Sequence, residues 1–366
     1  MTVFPILPSG KVDIKSLDLT MLGDFLTSID IPSEKALRIY QAIWQKHIRR
    51  FSELTTISKQ DHIKLERNAG LYFLERHGLF PSNDGTQKFL WKIPQGGVIE
   101  SVLIPESNRP NGYSDRLTLC VSSQWGCAMK CSFCLTGDLG LKGHLWASQI
   151  AGQIQQVSQT LEKGQRITNV VMMGMGEPLH NYDQLVVALR TMNHNCALRL
   201  SNRKITVSSV GLLPALLRLT AEIPVNIAIS LNATTEEQRR TVMPITKKYP
   251  LEKLLKTCLT ITQSPNQHGR RITFEYVMMK GFNDSLEDAQ RLTELLKGIP
   301  SKINLIPYNE NPDREIERPS FEQVKAFQTY LVSRGWYCSI RTTRGIDISA
   351  ACGQLGKTFQ IINQPT

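Results

Sequence analysis

The chain has 366 residues, with 41% hydrophobic and 20% charged positions, and 43 Lys and Arg against 32 Asp and Glu give a formal charge of +11. That length suits a large α/β barrel, alone or with an appended module, and the basic excess favours a polyanionic partner through phosphate neutralisation. No run of about eighteen apolar residues is available to span a bilayer, and the opening MTVFPILPSGKVD lacks a secretory pattern, so a cytoplasmic protein with no membrane association is expected.

In chain order, residues 1–78 read as a helical accessory unit. PSEKALRIYQAIWQKHIRRF sets Leu37, Tyr40, Trp44, Ile48 and Phe51 at spacings of three and four behind a Ser33 cap, which predicts one amphipathic helix. Lys46, His47, Arg49 and Arg50 on its other faces are either a solvated charge run or a phosphate-contacting surface. Residues 79–116 read as a β connector: PSNDG is turn-like, and KFLWKI and VIESVLIP suit a hairpin. Residues 117–366 form the third unit. There LTLCVSS, NVVMMG, KITVSS, VNIAISL, ITFEYVM and KINLIP alternate with helical segments near 147–162, 183–193, 285–297 and 320–333, followed by an extra strand-like run, YCSIR. Six such strands predict an α/β fold with a partial, six-unit (β/α) barrel. In this architecture functional loops follow the carboxyl ends of strands. The distinctive polar residues fall in that register: a cysteine group, GMGEP, Ser208, Asn232 and Asn309.

Eight cysteines in a reducing compartment seldom form structural disulfides, and clustered ones point to metal or redox chemistry. Cys127, Cys131 and Cys134 share one loop, with spacings of three and two residues between them. Structural zinc favours paired clips, and no second clip is visible. Iron in a cubane cluster takes thiolates, one for each iron. Three cysteines in one loop therefore suit a 4Fe-4S cluster whose fourth iron stays open to a small molecule.

The segment Cys-Ala-Met-Lys-Cys-Ser-Phe-Cys at 127–134 resembles the cluster loop of radical S-adenosylmethionine (SAM) enzymes. TLCVSSQWGCAMKCSFC, TNVVMMGMGEPL, EYVMMKGFND, KINLIPYN and DISAACGQL, in that order, resemble the RlmN/Cfr family of radical SAM adenine methyltransferases over most of the chain. The resemblance implies a 4Fe-4S cluster on Cys127, Cys131 and Cys134, with SAM chelated to the open iron. It also implies SAM contacts from Gly176, Glu177, Ser208, Ser230, Leu231, Asn232 and Asn309. The expected substrate is an adenine of 23S rRNA, with tRNA as a second substrate, and an electron-donating reductant such as flavodoxin is implied.

By the same resemblance Cys352 becomes S-methylated by one SAM, a second SAM generates the radical that activates that methyl group, and the carbon joins the base. Cys120 then resolves the adduct by forming a disulfide, and Glu100 matches the residue assigned as proton acceptor. Carbon 2 is the expected position. Carbon 8, as in Cfr, is the alternative, and a non-catalytic iron-sulfur RNA-binding protein is a reading of another class. Retention of both Cys120 and Cys352 speaks against that last reading. Two departures from the family pattern are Asn232, where many relatives carry histidine, and Trp125, where valine is common. Cys196, Cys258 and Cys338 match no role, and His144 and His180 are assigned no metal.

Overall fold

The computed structural model describes residues 4–106, 116–267, 269–311 and 314–356. The N-terminal part opens with β1 (Val12–Asp13) and continues through α1 (Leu19–Ser28), α2 (Ala36–Trp44) and α3 (Lys59–Asn68) to β2 (Ala69–Gly70), which pairs parallel with β1. Local chemistry sets these helices. The Asp18 carboxylate accepts from Met21 N to cap α1, and Ser58 and Asp61 form a reciprocal capping box at α3.

The amphipathic helix expected behind Ser33 is shorter than its spacing suggests. Ser33 opens a 3-10 turn rather than capping the helix, and α2 ends at Trp44. His47, at φ 56, then turns the chain out of helical geometry. Ile39 and Ile43 occupy the buried face, and Leu37 is 44% exposed. Ile48 and Phe51 are buried from the segment that follows.

The unit docks on the barrel through specific polar contacts as well as a continuous apolar core. Lys15 Nζ donates to Gln155 Oε1 at 2.8 Å, Tyr40 OH to Thr191 Oγ1 at 2.8 Å, and Arg190 pairs with Asp18 at 2.8 Å.

Next come β3 (Glu75–Pro81), β4 (Gln87–Lys92) and β5 (Val98–Glu106), an antiparallel meander whose first turn is the PSNDG segment. Strand β3 begins inside the stretch read as helical. The meander is also no separate layer, because β5 pairs antiparallel with β6 (Arg116–Cys120), the first strand of the barrel. Strand β7 (Gln124–Gly126), α4 (Leu135–Asp138) and β8 (Leu141–His144) follow, then α5 (Ala147–Ser158), β9 (Asn169–Met172), α6 (Tyr182–Asn193), β10 (Ile205–Ser209), β11 (Asn226–Ser230), β12 (Ile272–Met278), β13 (Ser301–Pro307) and β14 (Cys338–Ile340). Further helices at Leu213–Glu222, Leu251–Gln263, Leu286–Leu295 and Phe321–Ser333 fill the crossovers.

Among the described residues the main sheet has ten strands in the order β14-β13-β12-β11-β10-β9-β6-β5-β4-β3, parallel from β6 to β14. The six strands anticipated from the sequence are present, and the YCSIR run supplies a seventh. Period-two alternation divides each strand between two environments. In β10, Ile205 and Val207 enter the apolar core, while Thr206 and Ser208 line cavities inside the barrel. Polar residues thus face the barrel interior alongside apolar ones such as Met173 and Ile306, and the outer face carries the packing.

Candidate active site

Cys127, Cys131 and Cys134 occupy the loop between β7 and α4. Backbone bonds hold that loop: Cys127 N donates to Gly140 O at 3.0 Å, Cys134 N to Cys131 O at 3.1 Å, and Ser132 N to Val242 O at 3.0 Å. Gly126, at φ 76, starts the loop so close to the Gly140 carbonyl that a Cβ has no room. Burial pushes the Cys127 thiol up to about 12 and the Cys131 thiol well above its usual range, and it raises Cys134 too. Neighbouring cysteines add to the first two shifts. Buried thiols of this kind become stable thiolates when a cation replaces the proton.

A polynuclear cluster, in which each thiolate takes its own iron, suits three thiols gathered in one loop.

Two adjoining cavities of about 150 and 510 Å³ lie inside the barrel, the smaller against the loop at Phe133 and Cys134, and both are lined by Met173, Glu275, Asn309, Arg341 and Cys352. The smaller also meets Cys134, Gly176, Glu177, Ser208, Ser230 and Asn232. Leu231 does not line it. Leu231 is fully buried, and its N–H and C=O pair with Glu275 O and Arg239 Nε. Strand alternation turns it away from its two neighbours.

Glu177 is buried, and both its carboxylate oxygens are held, Oε1 by Leu179 N at 3.1 Å and Oε2 by Val210 N at 2.9 Å. Burial nonetheless raises its carboxyl to about 7. An ammonium group arriving in this cavity would meet a desolvated acceptor, the condition under which charge-assisted hydrogen bonds are strong. Asn309 donates from Nδ2 to Cys352 O at 2.9 Å, while its buried Oδ1 has no partner among the described residues. That acceptor suits a donor from a bound small molecule. Asn232 sits at φ 60, a conformation that Asn tolerates well. Its amide is engaged by the protein, with Oδ1 accepting from Val277 N at 2.8 Å and Nδ2 reaching Met243 Sδ at 3.4 Å.

The larger cavity is lined by Cys120, at the end of β6, together with Cys352. Burial, and next the presence of Cys352, push the Cys120 thiol up to about 12, against an opposing pull from Arg341. Arg341 in turn is held above its usual range first by Cys352, then by Glu275 and Cys120. Sequence reading gave no role to this arginine, the last residue of the YCSIR run, which lies just past β14.

Glu100 stands differently from the other candidates. It is fully buried beside Lys88 and lines neither cavity. Trp125 packs its ring where a side chain on Gly97 would otherwise stand. His144 and His180, far apart in the chain, meet with ring centroids 5.2 Å apart, and Gln124 Nε2 lies 3.1 and 3.3 Å from their Nδ1 atoms. Gln124 Oε1 also accepts from Glu177 N at 2.8 Å, which ties this pair to the cavity loop.

A parallel partial barrel with a three-cysteine loop after its first strand defines a radical SAM enzyme, and the Radical SAM superfamily model matches residues 121–293. The dual-specificity RNA methyltransferase RlmN of Pelobacter propionicus is 44% identical over 357 residues, covering 97% of this chain and 99% of that protein. The RlmN of Geobacter sulfurreducens is 43% identical over 344 residues, covering 94% and 92%. The crystal structure of a radical SAM methyltransferase from Sphaerobacter thermophilus matches with a TM-score of 0.86 at 35% identity, over 96% of this chain and 99% of that one. The chain belongs to the RlmN family of radical SAM RNA methyltransferases. The enzyme uses a 4Fe-4S cluster and SAM, and the thiol loop and the cavity beside it, with Glu177 and Asn309 on its wall, fit those two groups.

Proposed function

We propose that the protein methylates carbon 2 of an adenine in 23S rRNA and in tRNA, with Cys352 carrying the one-carbon unit and Cys120 releasing it. The observation that carries this reading is the meeting of Cys120 and Cys352 at one cavity, next to the pocket beside the cluster loop. When bound, the cluster and SAM supply the methyl group and the one-electron chemistry that activates it.

The chain's own residues then have separable tasks. Cys127, Cys131 and Cys134 hold the cluster. Glu177, the backbone at Gly176 and the polar groups of Ser208, Ser230 and Asn309 orient SAM, while Asn232 shapes that wall with its amide already engaged. Cys352 presents its sulfur to SAM, and Asn309 fixes the carbonyl of the same residue. Attack by the Cys120 thiolate on the Cys352 sulfur breaks the sulfur–carbon bond; the bonding pair stays with the one-carbon unit, which takes up a proton to become the methyl group on the base, and the two sulfurs are left as a disulfide. A cytoplasmic reductant of the flavodoxin type, supplying electrons to the cluster, and a thiol reductant complete the partner set. Glu100 accepts the proton lost from the adenine carbon. Among the described residues no helix is long and apolar enough to cross a membrane.

Two variants test the reading. Cys352→Ala should never gain an S-methyl group or attach to RNA, whereas Cys120→Ala should methylate Cys352 and stall as a covalent protein–RNA adduct on a denaturing gel. Mass spectrometry of nucleosides from wild-type reactions should show 2-methyladenosine. Appearance of the 8-methyl isomer, or normal turnover by Cys120→Ala, would sink the assignment.

A further inference from the structure

We propose that Lys88 is a positioning residue: with Glu100 it grips both ends of the segment 349–356 that carries Cys352, and Glu100 becomes available to the substrate only when that grip opens. The inference rests on the roles proposed above for Cys352 and Glu100.

The register brings the two side chains together. Leu90 lies opposite Glu100, and Lys88 lies opposite Val102, so Lys88 and Glu100 are diagonal neighbours on one face of the β4–β5 pair. Val102 in turn pairs with Cys120 across the next strand, so this face continues to the resolving cysteine. Lys88 is 2% and Glu100 1% exposed, an unusual burial for two ionisable residues unless each compensates the other. Lys88 Nζ lies 4.0 Å from Glu100 Oε2. Burial draws the Lys88 ammonium below its usual range, and Glu100 opposes that shift.

Both residues also reach the C-terminal segment. Lys88 Nζ donates to Ser349 O at 3.3 Å, and Glu100 Oε1 accepts from Gly356 N at 3.3 Å. One buried ion pair therefore touches the segment at its two ends. Between them, Asn309 Nδ2 donates to Cys352 O at 2.9 Å, Leu135 N to Gly353 O at 2.8 Å, and Thr136 Oγ1 to Leu355 O at 2.8 Å. These last two donors directly follow the cluster cysteine Cys134. The grip thus seats Cys352 beside the cluster loop, where a methyl donor must reach it.

The same contacts restrain Glu100. In the seated arrangement its Oε1 is used by Gly356 N–H, and it lines neither cavity. To accept a proton from the base, it must lose that contact. Seating for methylation of Cys352 and release for proton removal are then alternative states of one latch.

Lys88→Met keeps the aliphatic stem and removes the charge, while Lys88→Arg keeps a cation. Amide hydrogen exchange on the purified full-length protein, before SAM is added, reads the latch directly. Peptides covering 349–356 should exchange about 10-fold faster in Lys88→Met, while those covering strands 205–209 and 226–230 stay at wild-type rates. Lys88→Arg should restore slow exchange. In a single turnover with SAM and reductant, Lys88→Met should methylate Cys352 slowly. Glu100→Gln keeps an oxygen for Gly356 but leaves the buried Lys88 ammonium without its counter-charge, so it should share the faster 349–356 exchange and the slow Cys352 methylation, and stop on RNA.

Wild-type exchange in Lys88→Met, a rise spread over the parallel strands, or a failure of Lys88→Arg to restore slow exchange overturns the proposal. Failure of the underlying roles would show separately, as wild-type protein that carries no S-methyl group on Cys352.

Discussion

Arg341 is where the two proposed reactive thiols meet a single fixed positive charge. Its guanidinium shares the larger cavity with Cys120 and Cys352, and Nη1 reaches Met173 Sδ at 3.7 Å. A thiol must be ionised to attack sulfur, yet burial holds Cys120 up to about 12. Arg341 opposes that shift, so Arg341→Met should push the thiol higher still and lower its ionised fraction at any fixed pH. Each further unit in pKa is about a tenfold loss of thiolate. The expected result is a protein–RNA adduct that releases at least about tenfold more slowly near neutral pH and recovers as pH rises. A variant whose release rate matches wild type at every pH would remove Arg341 from this role. Nothing in the sequence marks the arginine, because charge at the end of a short edge strand has no pattern of its own. The Cys120–Cys352 meeting was legible only through family resemblance, since each cysteine alone reads as a small core residue.

The loops and strands that carry these residues were easier to read. Alternation of apolar residues with helices gave the parallel sheet, and the register of polar groups after each strand gave one functional face. Alternation also carries a warning that Leu231 illustrates. Between two cavity-lining neighbours on consecutive positions, its side chain must point into the core. The meander β3–β5 shows the opposite difficulty: strand pairing to β6 is a long-range contact, and local composition suggested only a connector.

At this scale the loop after β9 makes a sharp prediction. Gly176 has φ 100, and a Cβ there would press on Gln124, whose Oε1 holds Glu177 N at 2.8 Å. Gly176→Ala should therefore disturb the Glu177 loop while leaving the cluster loop intact. A left-handed backbone costs an L-residue about 1–2 kcal/mol, which corresponds to roughly a tenfold loss in affinity. Calorimetric titration of reconstituted protein with SAM checks this, and an unchanged affinity alongside normal cluster absorbance would contradict it.

Over the whole molecule, the N-terminal helices and the barrel behave as one packed body. Lys15 sits fully buried between them, with Nζ 3.8 Å from the Phe73 ring centroid and 5.0 Å from that of Trp44, and bonded to Gln155. Burial draws its ammonium down to about 7, partly offset by Asp13. Such a joint makes the N-terminal unit a fixed extension of the catalytic barrel, so charges on its surface would meet RNA at a set distance from the active site. Lys46, Arg49 and Arg50 are exposed there, while His47 is half-buried and turned toward Gln155. The chain's +11 charge favours phosphate contact, and a solvated surface presents the same exposed charge run.

Salt dependence separates the two. Each phosphate contact displaces condensed counterions, so losing one should reduce the magnitude of the log-log slope of binding against salt by about 0.7 to 0.9. Replacing Lys46, Arg49 and Arg50 by Gln should weaken RNA binding across sequences and flatten that slope by about 2 to 3 if all three touch phosphate. Cysteine methylation in the absence of RNA should stay at the wild-type rate, because the substitutions lie outside both cavities. Filter binding across a salt series measures the slope, and a slope unchanged from wild type would leave these three residues as solvated surface and move the RNA footprint elsewhere.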